Sequence, residues 1–499
     1  MNAKYLTAGL ITLSCLTACG GGGSSSSSPP VVEPPAPVET DVINLENVSK
    51  VLESNADIAL AAYSDSVDTA QALHDAIDNF SADTSQQNLD LAKQAWLVSR
   101  EPYGQTEVYR FRMSPIDSSD GVSEDGLEGD INAWPLGEAL IDYVVTSPGT
   151  NDDFEVDQVG VTANSAGIAD NGAVDGSDQN INIIASTVTI DQALLANTAT
   201  AEDEHDVIAG YHAIEFMLWG QDLNNAAQVT VGTDRDTAVK TLAAANIAAG
   251  GQRPLTDFTT AANAPRRLLY MQMVADKLVA DLTVVRSGWE DGVADNYRDR
   301  FTAVADRAEA ISKLTEILTG MGTLSEGELA GERMQISFSA NSQEDEHSCF
   351  SDNTHRDIWL NAEGISNSYY GDYAGYDSSL DGVDNESTRA VSGYGLDDYI
   401  VDLAIADMTT LATSLDTALT ATEVAYTRID SSARAGSPVD VLIMDINRNE
   451  DNPMYETIIT LNQQSSLIAD LAVALDIADT VVDDDASGCD TSAPNSTCP

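Results

Sequence analysis

Apolar residues recur at helical spacing over most of the chain. From Val48 to Phe80 they repeat every three or four positions, which predicts one long amphipathic helix. A stop-and-cap stretch at residues 81–84 separates it from a second predicted helix, Leu89 to about Met113. Further long helices are predicted at about 186–200, 203–220, 265–289, 294–320, 396–427 and 453–480. No strand-like alternation is sustained, so the pattern predicts an all-α protein.

Loops rich in Gly, Asp and Asn separate these helices. They lie at about 114–130, 147–182, 222–236 and 361–395. The chain is long enough for two domains of ordinary size. We therefore expect two helical bundles with long irregular loops, residues 41–260 and 261–482, and a polar tail at 483–499.

The first 40 residues have the composition of a targeting signal followed by a linker. An apolar run too short to span a bilayer follows Lys4 and ends in Leu-Thr-Ala-Cys at Cys19. This predicts a signal peptide (1–18) and a lipid-modified Cys19, the alternative being an ordinary signal peptide with a chance cysteine. Residues 19–40 are rich in Gly, Ser and Pro, which is typical of a disordered tether. Because Gly20 follows the cysteine, we expect an outer-membrane lipoprotein, held on the periplasmic or cell-surface face by lipid alone.

The charge balance excludes one class of partner. With 23 basic and 81 acidic residues, the net charge is −58. So few cations cannot form a phosphate-neutralising surface, so nucleic-acid binding is excluded. Adaptation to salty water also explains such acidity, because salt screens the self-repulsion. The acidity alone is therefore poor evidence for a metal site.

Cysteine usage is sparse. Cys489 and Cys498 flank a short polar stretch, and an oxidising envelope would allow them to form a local disulfide. Cys349 is then unpaired in the sequence, close to His347. It is either a small buried hydrophobic residue or a metal ligand.

An imidazole and a carboxylate lie three residues apart in the otherwise apolar segment 210–222. On a helix, His212 and Glu215 would share one face. A buried pair of this kind needs partners. One interpretation is a core histidine bonded to its neighbouring glutamate; the other is a metal ion that both side chains bind.

The pattern GxHxxE followed by WGQD resembles the imelysin family of bacterial envelope proteins. Further stretches resemble its iron-regulated protein A branch: residues 96–117, residues 131–138 (INAWPLGE) and residues 331–355. The resemblance implies an all-α fold of two related halves and a function linked to iron uptake or sensing. The stretch before Ile131 departs from the family's usual Gly-Pro-Glu-Gly, which leaves open whether Glu128 points toward the site.

Carboxylates with one or two imidazoles suit iron, manganese or zinc. His212 and Glu215 are the first candidate ligands, and the family motif adds Glu107. Further candidates are Glu346, His347 and Asp352, in an acidic segment that is either a solvated loop or part of the site.

Arg100 and Arg110 have two interpretations. They pair with helix carboxylates in a surface network, or they position the ligand by binding a carboxylate of a metal complex or keeping Glu107 ionised. We expect His212 and Glu215 to point into a cleft between the bundles, with the Arg100–Glu107 helix as the facing wall.

A metal-dependent peptidase is the alternative function. A zincin helix carries HExxH, with two imidazole ligands one turn apart and a glutamate that activates water. His212 is followed by Ala213 and has Phe216 four residues later, so neither the second ligand nor the base is in place. The pattern therefore favours binding of iron or another divalent cation over catalysis. A scaffold or adhesive lipoprotein is the second alternative.

Overall fold

The structure, a computed structural model, describes residues 41–143, 182–196, 207–222 and 250–498, except for residues 124, 135, 252, 343–344, 384, 445–446, 479–480 and 483–487. The predicted signal peptide, Cys19 and the tether lie outside the described residues, as do most of the predicted loops at 147–182 and 222–236. Within the described part of the chain, no helix is long and apolar enough to cross a membrane.

The described residues form an almost entirely helical protein, which confirms the all-α prediction. The helices are α1 (Leu45–Ala82), α2 (Gln86–Gly104), α3 (Glu128–Ile131), α4 (Glu138–Ile141), α5 (Gln192–Leu195), α6 (Gly210–Trp219), α7 (Thr256–Thr259), α8 (Ala264–Ser287), α9 (Tyr297–Thr302), α10 (Arg307–Thr323), α11 (Ser337–Ala340), α12 (Thr354–Tyr370), α13 (Leu396–Asp402), α14 (Ala406–Arg434), α15 (Val439–Leu442) and α16 (Pro453–Ala474). A 3-10 turn (Glu107–Tyr109) follows α2, and a π-helical segment (Leu324–Ile336) continues α10. Two short antiparallel strands, β1 (Asp372–Tyr373) and β2 (Val391–Ser392), pair with each other.

Helix α1 shows how the sequence pattern becomes packing. The Asn44 side chain accepts a hydrogen bond from the Asn47 backbone N–H and caps its start. Its apolar face, including Val48, Leu52 and Phe80, is buried against α2 and α8. The described residues from Val42 onward form one compact unit. The division into bundles at 260/261 stays a prediction.

Helix α2 ends earlier than the sequence predicted. The predicted helix ran to about Met113, but the helix stops at Gly104. The Tyr103 carbonyl accepts hydrogen bonds from both the backbone N–H and the hydroxyl of Thr106, which competes with further helical bonding. Beyond the 3-10 turn, Phe111 and Met113 have left-handed φ angles of 64° and 55°, which no α-helix accommodates.

Other predicted boundaries shifted for similar local reasons. The predicted helix at 294–320 divides into α9 and α10 because Asp306 is extended and its side chain caps a new helix. The helix predicted at 203–220 begins only at Gly210, after the extended Ala209. The helix predicted at 186–200 is described only as the short α5. The predicted helix at 396–427 divides into α13 and α14 at the left-handed Ala404.

Helix α12 was missed, and the loop predicted at 361–395 is wrong for residues 361–370. Its buried positions include Asn361, Asn367 and Ser368, which hydrogen-bond to other elements instead of facing solvent. These polar residues hid the helical pattern, because the prediction treated polar positions as exposed.

Candidate metal centre

Helix α6 enters the core through a glycine. Gly210 has a φ of +83°, and a Cβ there would lie 2.4 Å from the carbonyl oxygen of Ile131. Only glycine allows this backbone angle and this close approach together. The Trp96 indole donates to the carbonyl of Tyr211 (2.9 Å), and the Tyr211 hydroxyl donates to the carbonyl of Ser99 (3.2 Å). These bonds hold α6 against α2, and every residue of α6 is buried.

His212 and Glu215 face each other inside this helix. The distance from His212 Nδ1 to Glu215 Oε2 is 2.9 Å, and the two side chains are 1% and 0% exposed. Glu215 Oε1 accepts hydrogen bonds from the backbone N–H (2.9 Å) and hydroxyl (2.7 Å) of Ser351. Burial raises the pKa of Glu215 to about 8, although the bonds from Ser351 oppose this. Burial and the neighbouring His347 hold the pKa of His212 well below its usual range, so the pair is neutral at pH 7.

A second imidazole lies beside the first. The ring centroids of His212 and His347 are 4.7 Å apart, and the ring planes are nearly perpendicular at 87°. His347 Nδ1 lies 3.0 Å from Asp357 Oδ2. Burial and the Arg333 guanidinium lower the pKa of His347 to about 4, so this ring is neutral as well. Burial opposes ionisation of Asp357, but Arg100, 2.9 Å away, outweighs it and holds that pKa far below its usual range.

The imidazole rings of His212 and His347 make the same kind of contact. Each Nδ1 contacts a carboxylate group, which leaves each Nε2 as the nitrogen available to a further partner. Among the described residues, His212 Nε2 is buried without a hydrogen-bond partner, while His347 Nε2 lies 3.5 Å from Asn132 Nδ2. Metal-binding histidines typically have their second ring nitrogen bonded to a carboxylate, which sets the orientation of the ring.

The Asn132 side-chain amide connects Glu107 to His347. Asn132 Nδ2 donates to Glu107 Oε1 (3.2 Å) and also approaches His347. Glu107 forms ion pairs with Arg333 (2.9 Å) and Arg110 (3.0 Å). Burial disfavours its ionised form, but the two arginines outweigh that effect and lower its pKa to about 2. Glu107 and His212 therefore lie in one network.

The two arginines predicted to position a ligand are part of this network. Arg110 also pairs with Glu328 (2.8 Å) and Glu128 (3.5 Å), so Glu128 does point toward the network. Arg100 pairs with Asp357 and donates to the Asn132 amide oxygen. These are interior ion pairs, since the arginine side chains are 1% and 15% exposed. The surface-network interpretation does not describe them.

The structure thus brings together most of the residues that the sequence singled out: His212, Glu215, Glu107, His347, Arg100 and Arg110. They lie at the junction of α6, the end of α2 and the segment before α12, and all but the partly buried Arg110 are buried. Arg110 lines a cavity of about 360 Å³ together with Glu128, whereas His212 and Glu215 line no open cleft in the described part of the chain. Sequence reasoning missed Asn132, Asp357 and Arg333. Asn132 and Arg333 lie inside the family-like stretches, but nothing in their spacing marked them.

Asp352 belongs to a different cluster. Oxygen atoms of Asp222, Asp352 and Asp440 all lie within 4.8 Å of one another, and no other trio of His, Cys, Asp or Glu side chains in the described ranges meets this distance. Asp222 ends the WGQD sequence, and Asp352 follows Ser351, the partner of Glu215. Three carboxylates form a hard oxygen site. Glu346 is buried, 1% exposed.

The cysteines of the described region play separate roles. Cys489 and Cys498 form a disulfide. The Gln335 side-chain amide donates to the carbonyls of Asp490 and Ser496, which binds this loop to the π-helical segment. Cys349 is a buried thiol outside the disulfide.

Comparisons with known proteins identify a family for this chain. The family model described as imelysin (Peptidase M75) matches residues 59–475. An iron-regulated protein A precursor from Parabacteroides distasonis ATCC 8503 is similar in structure, with 17% identity, a TM-score of 0.48, and coverage of 89% of this chain and 96% of that chain. An imelysin-like protein from Psychrobacter arcticum 273-4 is similar with 14% identity, a TM-score of 0.49, and coverage of 87% and 97%. A search of curated proteins found no match. Because the imelysin model matches well over half of the chain, the protein belongs to the imelysin family.

Proposed function

We propose that this protein binds a divalent cation, iron in the first place, between the imidazoles of His212 and His347. In this proposal Glu215 and Asp357 orient the rings, and Glu107 supplies negative charge next to them. Because the sequence around Cys19 predicts a lipoprotein, the proposal includes a location at the outer membrane, where the protein would serve iron uptake or sensing together with uptake components.

One observation carries the proposal. His212 Nε2 is a buried polar atom without a hydrogen-bond partner among the described residues. Such an atom is costly in a protein interior and calls for an explanation. A metal ion satisfies a neutral imidazole nitrogen, and both rings are neutral at pH 7 because their pKa values are lowered.

The chemistry of the surrounding groups fits the same ion. Two imidazoles with a nearby ionised carboxylate form a borderline donor set suited to iron, manganese or zinc. Among the described residues, no trio of His, Cys, Asp or Glu side chains that includes His212 or His347 has its ligand atoms within 4.8 Å of one another. A bound ion would therefore keep positions for solvent or for a ligand that arrives with it. This favours reversible capture over a closed structural site.

The burial of this centre favours ion binding over peptide hydrolysis. His212, Glu215 and His347 are at most 2% exposed, so a polypeptide at the surface of the described part of the chain does not contact them. Glu215 is also engaged by His212 and Ser351, whereas the base of a metallopeptidase must contact water. The proposal is therefore a binding protein and not a peptidase.

Metal analysis tests the proposal. Protein purified without chelators, and apo protein titrated with Fe(II) under anaerobic conditions, should bind one equivalent at this centre. His212→Ala should lose that equivalent, while His74→Ala, a change on α1 where His74 pairs with Asp276, should keep it. Full binding by His212→Ala would overturn the proposal. Cleavage of an unstructured peptide that disappears in Glu215→Gln would decide for the peptidase instead.

A further inference from the structure

Arg112 is a buried cation that stands apart from the metal centre. It is 5% exposed, and its Nη2 donates to the Asn55 side-chain oxygen at 3.1 Å. Its Nε and Nη1 are buried and have no hydrogen-bond partner among the described residues. Arg112 also has no carboxylate within ion-pair distance in that part of the chain.

Other buried arginines of the described ranges all have a carboxylate partner. Arg100 pairs with Asp357, Arg253 and Arg267 with Asp142, Arg298 with Asp57, Arg333 with Glu107, and Arg356 with Glu101. Although the chain has 81 acidic residues, those in the described ranges leave Arg112 without such a partner. An isolated buried charge is costly unless something compensates it.

Neighbouring groups hold the guanidinium in place without neutralising it. Its central carbon lies 4.7 Å from the ring centroid of Tyr109, 5.5 Å from Trp289 and 5.4 Å from Phe301. Contacts with aromatic rings contribute to binding a cation but add no countercharge. The Asp117 carboxylate, whose Oδ2 accepts the backbone N–H groups of Arg112 (3.1 Å) and Ser114 (3.2 Å), also attracts the guanidinium electrostatically, but from beyond ion-pair distance.

Arg112 lines a cavity of about 510 Å³ between the turn at residues 111–113 and helix α10. Ser312, Thr315 and Thr319 repeat every three or four residues along α10, so their hydroxyl-bearing side chains share the face that lines this cavity. Ile311 and Ala308 add apolar surface, and Glu316, whose carboxylate pairs with Lys313 at 2.7 Å, also lines the cavity.

We propose that this cavity binds a small organic hydroxycarboxylate, whose carboxylate pairs with the Arg112 guanidinium. The planar guanidinium matches a carboxylate through two parallel N–H bonds. The free Nη1 can donate one of them, and the second N–H of Nη2, whose other N–H is donated to Asn55, can complete the pair. The hydroxyl face of α10 suits the hydroxyl groups of the ligand. A single negative charge is favoured, because the net charge of −58 repels multiply charged anions.

The ligand reaches the Arg112 guanidinium only if the cavity wall moves slightly. Both free nitrogens are covered by protein, so the ligand must displace part of the cavity wall. Phe111 and Met113, the left-handed residues on either side of Arg112, belong to that wall. Strained residues of this kind cluster at ligand-binding sites. The metal centre does not include Arg112, so each proposal can fail without the other.

Ligand-dependent stability tests this inference on the full-length protein. Lactate at constant ionic strength should raise the melting temperature in a saturable way, more than acetate, and inorganic phosphate should raise it least. In Arg112→Met the lactate shift should disappear, whereas Arg286→Met, at a partly exposed arginine paired with Glu290, should keep it. In chloride buffer alone, Arg112→Met should be at least as stable as wild type, because the substitution removes an uncompensated charge.

A second variant tests the same proposal if Arg112→Met does not fold. Ala308 lies at the exposed edge of the cavity, so Ala308→Trp should fill the space and abolish the lactate shift without touching Arg112. Three results would each overturn the inference: no carboxylate effect on wild type, an unchanged lactate shift in either cavity variant, or a phosphate effect larger than the lactate effect.

Discussion

Glu215→Gln tests the orientation of the first imidazole. Glu215 Oε1 accepts two hydrogen bonds from Ser351, so a glutamine will direct its carbonyl oxygen there and its NH₂ group toward His212. The amide then donates to His212 Nδ1, and the imidazole proton must lie on Nε2. That tautomer cannot bind a metal through Nε2. The native carboxyl group, in contrast, can lose its proton when the ion binds.

The size of the effect follows from the single hydrogen bond that changes. Loss of a carboxylate that orients a metal-binding histidine lowers metal affinity about 10–100-fold, or about 1.4–2.8 kcal/mol. The metal-free protein should keep most of its stability, because the amide preserves the volume of the side chain and both contacts of the 0% exposed group.

Calorimetric titration with Mn(II) at pH 8, where the native carboxyl is about half ionised, measures the change. Ser351→Ala is the matched control, because it removes one hydroxyl bond to Glu215 but leaves the carboxylate and its contact with His212. That control should bind Mn(II) nearly as well as wild type. Equal affinities of Glu215→Gln and wild type would refute the orientation argument.

Three further predictions concern stability. Gly210→Ala should lower the free energy of unfolding in urea by about 2–4 kcal/mol, because the left-handed angle and the contact at 2.4 Å both exclude a Cβ; Gly129→Ala, with nothing within 4 Å of the added carbon, should change it little. Asp357→Asn should lower the free energy of unfolding by about 3–5 kcal/mol, because it leaves the buried Arg100 without a carboxylate. Asp68→Asn, at the half-exposed pair with Arg389, should lower it by less than about 1 kcal/mol. For the metal-free protein, the free energy of unfolding should fall as the pH drops from 6.5 to 4. Burial lowers the pKa of His355 in the folded protein to about 4, so only the unfolded chain takes up this proton in that range. In His355→Gln, the free energy of unfolding should depend on pH less steeply, by up to about 1.4 kcal/mol per pH unit.

The sequence predicted those parts of the fold in which local pattern and packing agree. Helices α1 and α8 lie close to their predicted limits because their apolar faces repeat regularly. The end of α2 and the whole of α12 were mispredicted. At Gly104 the helix gives way to hydrogen bonds made by the next turn, and in α12 buried polar side chains replace the expected apolar positions.

For the candidate site, the sequence identified residues but not their partners. His212 and Glu215 could be paired from spacing alone, because a helix fixes their relation. The contact of His212 with His347 joins positions 135 residues apart, and the roles of Asn132 and Asp357 depend on the same long-range packing. Nothing local in a single sequence specifies such contacts.

Pulsed EPR spectroscopy of the Mn(II)-loaded protein tests the central claim most directly, because it detects nitrogen atoms bound to the ion. We expect nitrogen couplings from two imidazoles, reduced to one in His347→Ala and absent once His212 is also replaced. An ion with no directly bound nitrogen, as the Asp222, Asp352 and Asp440 cluster would produce, would contradict the two-imidazole centre.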